Sequence, residues 1–154
     1  MATVLTQSEA KLGDWVHRKI QNIDPDLAPF WQGFNEHEFK LCRCSRCGSW
    51  WFPYAVCDRH PEIPDFDVME WVPSSGRGTI FAMLVINQVV DMAFAGEVPY
   101  AITIVALDEG PHFPARIIGD PSQVAIGSPV EVVFLDSAES GQTLPLFRLR
   151  QDAA

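Results

Sequence analysis

The chain has 154 residues and is 47% hydrophobic, so it can bury a core without help from disulfides. Its formal net charge of -9 repels phosphate backbones and anionic lipid surfaces, which disfavours nucleic acid and membranes as partners. No signal-like start is visible, and the longest apolar stretch, residues 80–86, is too short to cross a bilayer. We therefore expect a cytoplasmic protein, in which clustered cysteines bind metal rather than pair as disulfides.

The N-terminal part, residues 1–37, predicts a helical segment. Asp14 can cap a helix that continues to Ile20. Pro25 interrupts this pattern, and either Asp26 or Pro29 can then open a second, short helix.

The second helix would carry three aromatic residues, Phe30, Trp31 and Phe34, on one face. Two interpretations are open for this face. It can pack on the chain's own core, or it can be a docking surface for a partner.

All four cysteines lie in the next segment, residues 38–64, which is rich in proline and aromatic residues. Phe39–Cys42 is a short strand candidate, but regular structure is otherwise sparse. So few aliphatic residues cannot hold a short segment together, and a bound metal is the obvious substitute for a core.

The spacing of the cysteines indicates where the metal binds. Cys44 and Cys47 form a Cys-x-x-Cys pair followed by Gly48, which is typical of a zinc knuckle. Cys57 and His60 repeat this spacing after nine intervening residues. Three cysteines and one histidine are an accepted ligand set for structural zinc. Because four protein ligands leave no open position for water, we predict a structural rather than a catalytic zinc.

The remaining residues, 65–150, predict an all-β domain, followed by a tail at 151–154. The strand candidates are rich in Val, Ile, Phe and Thr, and this spacing predicts a barrel or a sandwich. They are Asp67–Val72, Thr79–Val90, Tyr100–Leu107, Ala115–Ile118, Val130–Leu135 and Leu144–Leu149. Thr79–Ile86 and Tyr100–Leu107 are apolar on both faces, so one face needs a cover, either the N-terminal helix or another protein.

No catalytic motif is recognisable in the sequence. Cys42 could substitute as a metal ligand, but its position two residues before Cys44 suits a strand face, so we place it outside the ligand set. Arg77 and Arg116 lie near predicted strand ends, where each can contact a phosphate or carboxylate of a ligand or simply lie on the surface. We expect no catalysis by this chain alone.

Seven short motifs occur in the same order as in a known protein family. They are Phe30–Gly33, Cys44–Gly48, Phe52–Pro53, Ser75–Thr79, Val105–Pro111, Ile126–Val132 and Leu144–Arg148. By these motifs the chain resembles the small acyl-CoA-associated proteins built from an N-terminal helix, a rubredoxin-like zinc ribbon and an OB-fold. That family typically has a cysteine at the position of His60 and one more residue between the ligand pairs.

The resemblance implies a mainly β fold with a five-stranded OB-fold barrel, and it implies a partner. Such proteins form complexes with thiolase-like enzymes, including thiolases, acyltransferases and retro-aldolases. The partner would carry the nucleophilic cysteine, and this chain would be the accessory subunit that supports assembly and the acyl or CoA channel. Two alternatives stay open: an OB-fold module for nucleic acid, which the acidic charge opposes, and a stand-alone CoA-ester binding protein.

Overall fold

Strands dominate the computed structural model, which describes residues 1–12, 22–53, 56–60, 66–137 and 140–151. The helices in these ranges are α1 (Gln7–Ala10) and α2 (Ala28–Asn35), and a turn of 3-10 helix at Pro25–Leu27 precedes α2. The strands are β1 (Val4–Leu5), β2 (Lys40–Cys44), β3 (Trp50–Trp51), β4 (Met69–Pro73), β5 (Arg77–Ile86), β6 (Tyr100–Leu107), β7 (His112–Ile117), β8 (Pro129–Asp136) and β9 (Thr143–Leu149). No helix within the described ranges combines the length and the apolar character that a membrane span requires.

Strands β5 to β9 form a five-stranded barrel, as predicted. The strand order is β8-β5-β6-β7-β9, and pairing of β8 with β9 closes the sheet. β1 pairs in parallel with β8 and adds a short strand outside the barrel. Closure leaves few unpaired strand edges, which protects a small apolar barrel from edge-to-edge association.

The predicted and observed strand ends differ where local chemistry overrides the apolar pattern. β5 ends at Ile86 rather than Val90, because Asp91 caps a 3-10 turn at Met92–Phe94 by accepting a hydrogen bond from the Ala93 amide (2.8 Å). β7 begins three residues earlier than predicted and includes Pro114. Proline is tolerated there because β7 pairs with β6 on one side and meets β9 only near Ile117.

The strand predicted at residues 67–72 does not belong to the barrel. It is β4, which pairs with β2 in a separate three-stranded sheet of order β3-β2-β4. The predicted bounds grouped this strand with residues 65–150, whereas its hydrogen-bonded neighbour is the ribbon strand β2. Apolar alternation identifies a strand but not its partner, and the turn through Gly76, at φ 65°, redirects the chain into the barrel only after β4.

α2 connects the small sheet to the barrel through a cluster of aromatic rings. Phe30 and Phe34 are both buried, with ring centroids 4.5 Å apart. Phe39, which precedes β2, packs against Phe113 of β7 with ring centroids 4.9 Å apart. The helix α2, the small sheet and the barrel therefore share one core. The core-packing interpretation therefore applies to Phe30 and Phe34, and burial removes both from any docking surface. Trp31 is half-buried against the same core.

Truncation of this aromatic cluster is expected to be strongly destabilising. Phe34 is fully buried, so Phe34→Ala is expected to lower the free energy of unfolding by about 3–5 kcal/mol. Val90 is 87% exposed, and Val90→Ala is expected to change the free energy of unfolding by less than about 0.5 kcal/mol. Urea denaturation of both variants measures the two values, and equal effects would contradict the proposed position of Phe34.

At the N-terminus, α1 begins with a capping box that the sequence analysis missed. Thr6 Oγ1 accepts a hydrogen bond from the Glu9 amide (3.4 Å), and Glu9 Oε2 accepts one from the Thr6 amide (2.8 Å). The helix predicted from Asp14 to Ile20 lies outside the described residues.

A polar network ties the end of α2 to the barrel. Asp136 accepts hydrogen bonds from the Thr143 hydroxyl (2.7 Å) and lies 2.8 Å from His37 Nε2. Burial raises the pKa of Asp136, but the His37 and Thr143 hydrogen bonds more than offset it, so the pKa is lowered overall.

The sign of this shift predicts a pH dependence. A carboxylate with a lowered folded-state pKa stabilises the fold above about pH 4 and loses that contribution as the pH falls through the lowered pKa. We expect Asp136→Asn to lower the free energy of unfolding by less than about 1 kcal/mol at pH 7, because the side chain is half exposed, and by less still at pH 3. Urea denaturation at both pH values measures the two differences. A free-energy difference between variant and wild type that grows towards pH 3 would contradict the lowered pKa of Asp136.

Candidate metal centre

The turn between β2 and β3 presents two of the four candidate ligands. Cys44 ends β2, its carbonyl accepts a hydrogen bond from the Gly48 amide (2.8 Å), and its amide donates to the Ser49 carbonyl (2.9 Å). Gly48 adopts φ 72°, a left-handed conformation that favours glycine. This turn brings the side chains of Cys44 and Cys47 to the same side, as the knuckle spacing predicts.

The structure brings all four predicted ligands together. One candidate ligand atom from each of Cys44, Cys47, Cys57 and His60 lies within 4.8 Å of the other three. The sulfur atoms of Cys47 and Cys57 are 3.6 Å apart, and all four cysteines of the chain are free thiols. Cys44 and Cys57 are buried, whereas Cys47 is exposed at the rim.

The chemistry of this cluster fits a metal ion. His60 Nε2 is buried, and no hydrogen-bond partner for it occurs in the described part of the chain. A buried ring nitrogen without a partner is costly, and a bond to a metal would satisfy it. Three sulfur atoms and one imidazole at these separations suit a tetrahedral ion, so the cluster can hold a metal.

The cysteine thiols differ in their electrostatic environment. Hydrogen bonds from the Ser49 hydroxyl and amide, with smaller contributions from His60 and Cys57, lower the pKa of Cys47 to about 6. Burial raises the pKa of Cys42 to about 12. Cys42 lies on β2 opposite Trp51 and Trp71, outside the four-residue cluster, as a neutral thiol.

The two arginines considered as ligand contacts occupy different settings. Arg77 begins β5, is exposed and lies opposite Glu131 in the barrel. Arg116 of β7 is ion-paired with Glu97, whose side chain is 1% exposed, and its guanidinium lies 4.2 Å from the centre of the Tyr100 ring. Arg116 is thus engaged within the chain, and Arg77 is the more accessible of the two.

An exposed apolar surface lies on the outer side of β5 and β6. Leu84 is 62% exposed and lies directly opposite Ile102, which is 42% exposed. Phe81 is 59% exposed at an irregularity in the pairing of the two strands. We call Phe81, Leu84 and Ile102 the β5–β6 face. The apolar pattern on both sides of these two strands predicts such a surface, and the β5–β6 face is its outer, exposed side.

The barrel and the cysteine cluster together define a protein that combines an OB-fold with a ribbon-like Cys3His cluster able to hold a metal. The sequence profile of the ChsH2 C-terminal OB-fold domain matches residues 71–135. A DUF35 domain-containing scaffold protein of Methanothermobacter thermautotrophicus is 35% identical over 101 residues, which cover 65% of this chain and 74% of that protein. The chain belongs to the DUF35 family, which confirms the resemblance seen in the sequence.

Two further comparisons match the chain to proteins that are named as an enzyme or an enzyme subunit. The 3-oxo-4,17-pregnadiene-20-carboxyl-CoA hydratase alpha subunit of Mycobacterium tuberculosis is 36% identical over 117 residues, which are 72% of this chain and 34% of that subunit. The chain thus spans about a third of that relative's length. A solved chain described as Ltp2-ChsH2(DUF35) aldolase superposes with a TM-score of 0.72 at 27% identity, covering 84% of this chain and 98% of that one.

Proposed function

We propose that this chain is a non-catalytic accessory subunit of a thiolase-like acyl-CoA enzyme. In this role it holds a structural zinc ion and contacts the larger subunit through the β5–β6 face. The proposal depends on the exposed apolar β5–β6 face of the barrel. It is supported by the similar fold of the solved chain described as Ltp2-ChsH2(DUF35) aldolase.

The names of the relatives favour acyl-CoA chemistry for the complex. One relative is named as a subunit of a carboxyl-CoA hydratase, and a second, from Thermomonospora curvata, as a probable enoyl-CoA hydratase alpha subunit. Both names describe one subunit of a larger enzyme. They support a place for this chain in an enzyme of more than one subunit that acts on CoA esters, and we propose that its part there is to aid assembly and to shape the acyl or CoA channel.

The properties of the β5–β6 face support contact with a protein partner. Leu84 and Ile102 lie side by side in register, and neither carries a charge that would favour water. Contiguous exposed apolar residues are a known feature of protein interaction sites. Burying one such side chain contributes about 1.5–3 kcal/mol, so a few of them can anchor a stable contact.

The thiols of this chain are poorly suited to acyl-transfer catalysis. Cys42 is fully buried, and its pKa is raised to about 12, so it is a poor nucleophile at neutral pH. The other three cysteines converge with His60 in the candidate metal centre. Under the proposal the thiolase-like partner therefore supplies the nucleophilic cysteine.

Zinc is the proposed ion, and its role is structural. Thiolate and imidazole ligands in a tetrahedral set favour zinc over the harder cations, and four protein ligands leave no position for water. Bound there, the ion would join the β2–β3 turn to the Cys57–His60 segment. We propose residues 38–64 as the core of the ribbon, with β4 added to it because β4 pairs with β2.

Affinity purification of the tagged chain from its native source tests the proposed partnership. Quantitative mass spectrometry of the retained proteins is expected to find a thiolase-like chain in near-stoichiometric amount. Recovery of nucleic acid, or of no protein in constant ratio under several growth conditions, would contradict the accessory-subunit proposal. Binding of a CoA ester by the chain alone would favour the stand-alone alternative instead.

A further inference from the structure

Ser49 places a hydroxyl group beside two of the candidate ligands. Its Oγ lies 3.0 Å from the sulfur of Cys47 and 3.4 Å from the sulfur of Cys57. The same oxygen accepts a hydrogen bond of 3.0 Å from the indole Nε1 of Trp51, the last residue of β3. A hydrogen-bond network thus joins the indole, through the hydroxyl, to the cysteine cluster.

The donor capacities of these groups determine the direction of each hydrogen bond in this network. An indole nitrogen only donates, so Trp51 occupies a lone pair of the Ser49 oxygen and leaves the hydroxyl proton free. A hydroxyl has one proton, and it can serve only one sulfur at a time. The shorter distance favours Cys47, which is also the most exposed of the three cluster cysteines.

We propose that Ser49 and Trp51 are positioning residues of the metal centre: Trp51 orients the Ser49 hydroxyl, which donates to a metal-bound thiolate. This inference rests on the proposed metal centre. A hydrogen bond to a coordinating sulfur holds that sulfur in its ligating orientation and shares its negative charge, which stabilises the metal-bound state. Groups of this kind, one shell outside the ligands, typically change metal affinity by about 10–100-fold when removed.

The backbone of Ser49 has a separate role that alanine would preserve. Its carbonyl accepts a hydrogen bond from the Cys44 amide (2.9 Å), and a backbone hydrogen bond from Ser49 helps to lower the pKa of the Cys47 thiol. Ser49→Ala keeps both contacts and removes only the hydroxyl. Ser49→Thr restores a hydroxyl at the same position, and Trp51→Phe keeps an aromatic ring but removes the indole donor.

Zinc affinity of the full chain, measured by competition with a chromophoric chelator, tests the proposal. Ser49→Ala is expected to weaken zinc binding by about 10-fold or more. Ser49→Thr is expected to recover most of the affinity, and Trp51→Phe to show a smaller loss in the same direction. Ser45→Ala and Trp50→Phe are matched controls, since Ser45 is exposed in the same turn and Trp50 precedes Trp51 on β3.

Cobalt in place of zinc gives a readout that a purely structural role would not move. Loss of a donor to a thiolate is expected to shift the sulfur-to-cobalt charge-transfer band to longer wavelength in Ser49→Ala and not in Ser45→Ala. Equal affinity and equal band position in Ser49→Ala and the wild type would overturn the role of Ser49. Failure of the wild-type chain to bind zinc would instead overturn the metal centre itself, so the two failures are distinguishable.

Discussion

Replacing Cys57 with serine is expected to release the metal and to unfold the ribbon. Cys57 is 1% exposed, and its sulfur is 3.6 Å from that of Cys47. The variant therefore leaves only three of the four candidate metal ligands in place. In zinc-finger peptides the bound ion contributes about 10–16 kcal/mol of apparent free energy at neutral pH, and this segment has few aliphatic residues to replace it. We expect zinc affinity to fall by at least about 100-fold.

Metal content and near-UV circular dichroism of the purified variants measure this effect. The ribbon aromatics Phe52 and Trp71 pack against the shared core, so the dichroism of buried rings should fall together with the metal. A chelator should produce the same change in the wild type, and added zinc should reverse it. Cys42→Ala is the matched control and should retain zinc. Retention of one metal ion per chain in Cys57→Ser, or loss of metal in Cys42→Ala, would contradict the ligand set.

Placing a carboxylate on the β5–β6 face is expected to separate the chain from its partner. Leu84 is 62% exposed, so Leu84→Glu should fold normally, with a free energy of unfolding within about 0.5 kcal/mol of the wild type. In a complex, the same carboxylate would be buried without a counter-charge. We expect the partner's Kd to rise by at least about 30-fold, which corresponds to about 2 kcal/mol.

Val4→Glu is the matched control for this experiment. Val4 is 43% exposed on β1, which pairs with β8 rather than with β5 or β6. Both variants add one negative charge, so a general electrostatic effect would weaken both complexes equally. Binding of the purified partner, measured by calorimetry, should be lost in Leu84→Glu and kept in Val4→Glu. Equal affinity of both variants would show that the partner contacts another surface.

Features that depend on local pattern could be predicted from the sequence. The bounds of β6 agree with the prediction because its apolar run ends at a Gly-Pro turn. The grouping of Cys44, Cys47, Cys57 and His60 follows from two equal spacings, since each pair closes a turn of its own. The packing of Phe30 and Phe34 on the core was one of two open interpretations, and burial decides between them.

Features that depend on long-range pairing could not be predicted in this way. The partner of β4 is a ribbon strand about thirty residues earlier in the chain, and alternation along β4 is compatible with either sheet. The network of Asp136 with His37 joins residues 99 positions apart. The role proposed for Ser49 needs the positions of its hydroxyl, a sulfur and an indole together, although the order Cys-Gly-Ser-Trp-Trp contains the signal.

Native mass spectrometry of the assembly purified from its source tests the zinc ribbon and the partnership together. It reports the metal and the partner in one measurement under conditions that keep the complex intact. We expect every copy of this 17.2 kDa chain to carry one zinc ion and to be bound to a larger thiolase-like chain in a fixed integer ratio. Recovery of the chain alone and free of metal, from cells that contain such an enzyme, would contradict both the ribbon and the accessory role.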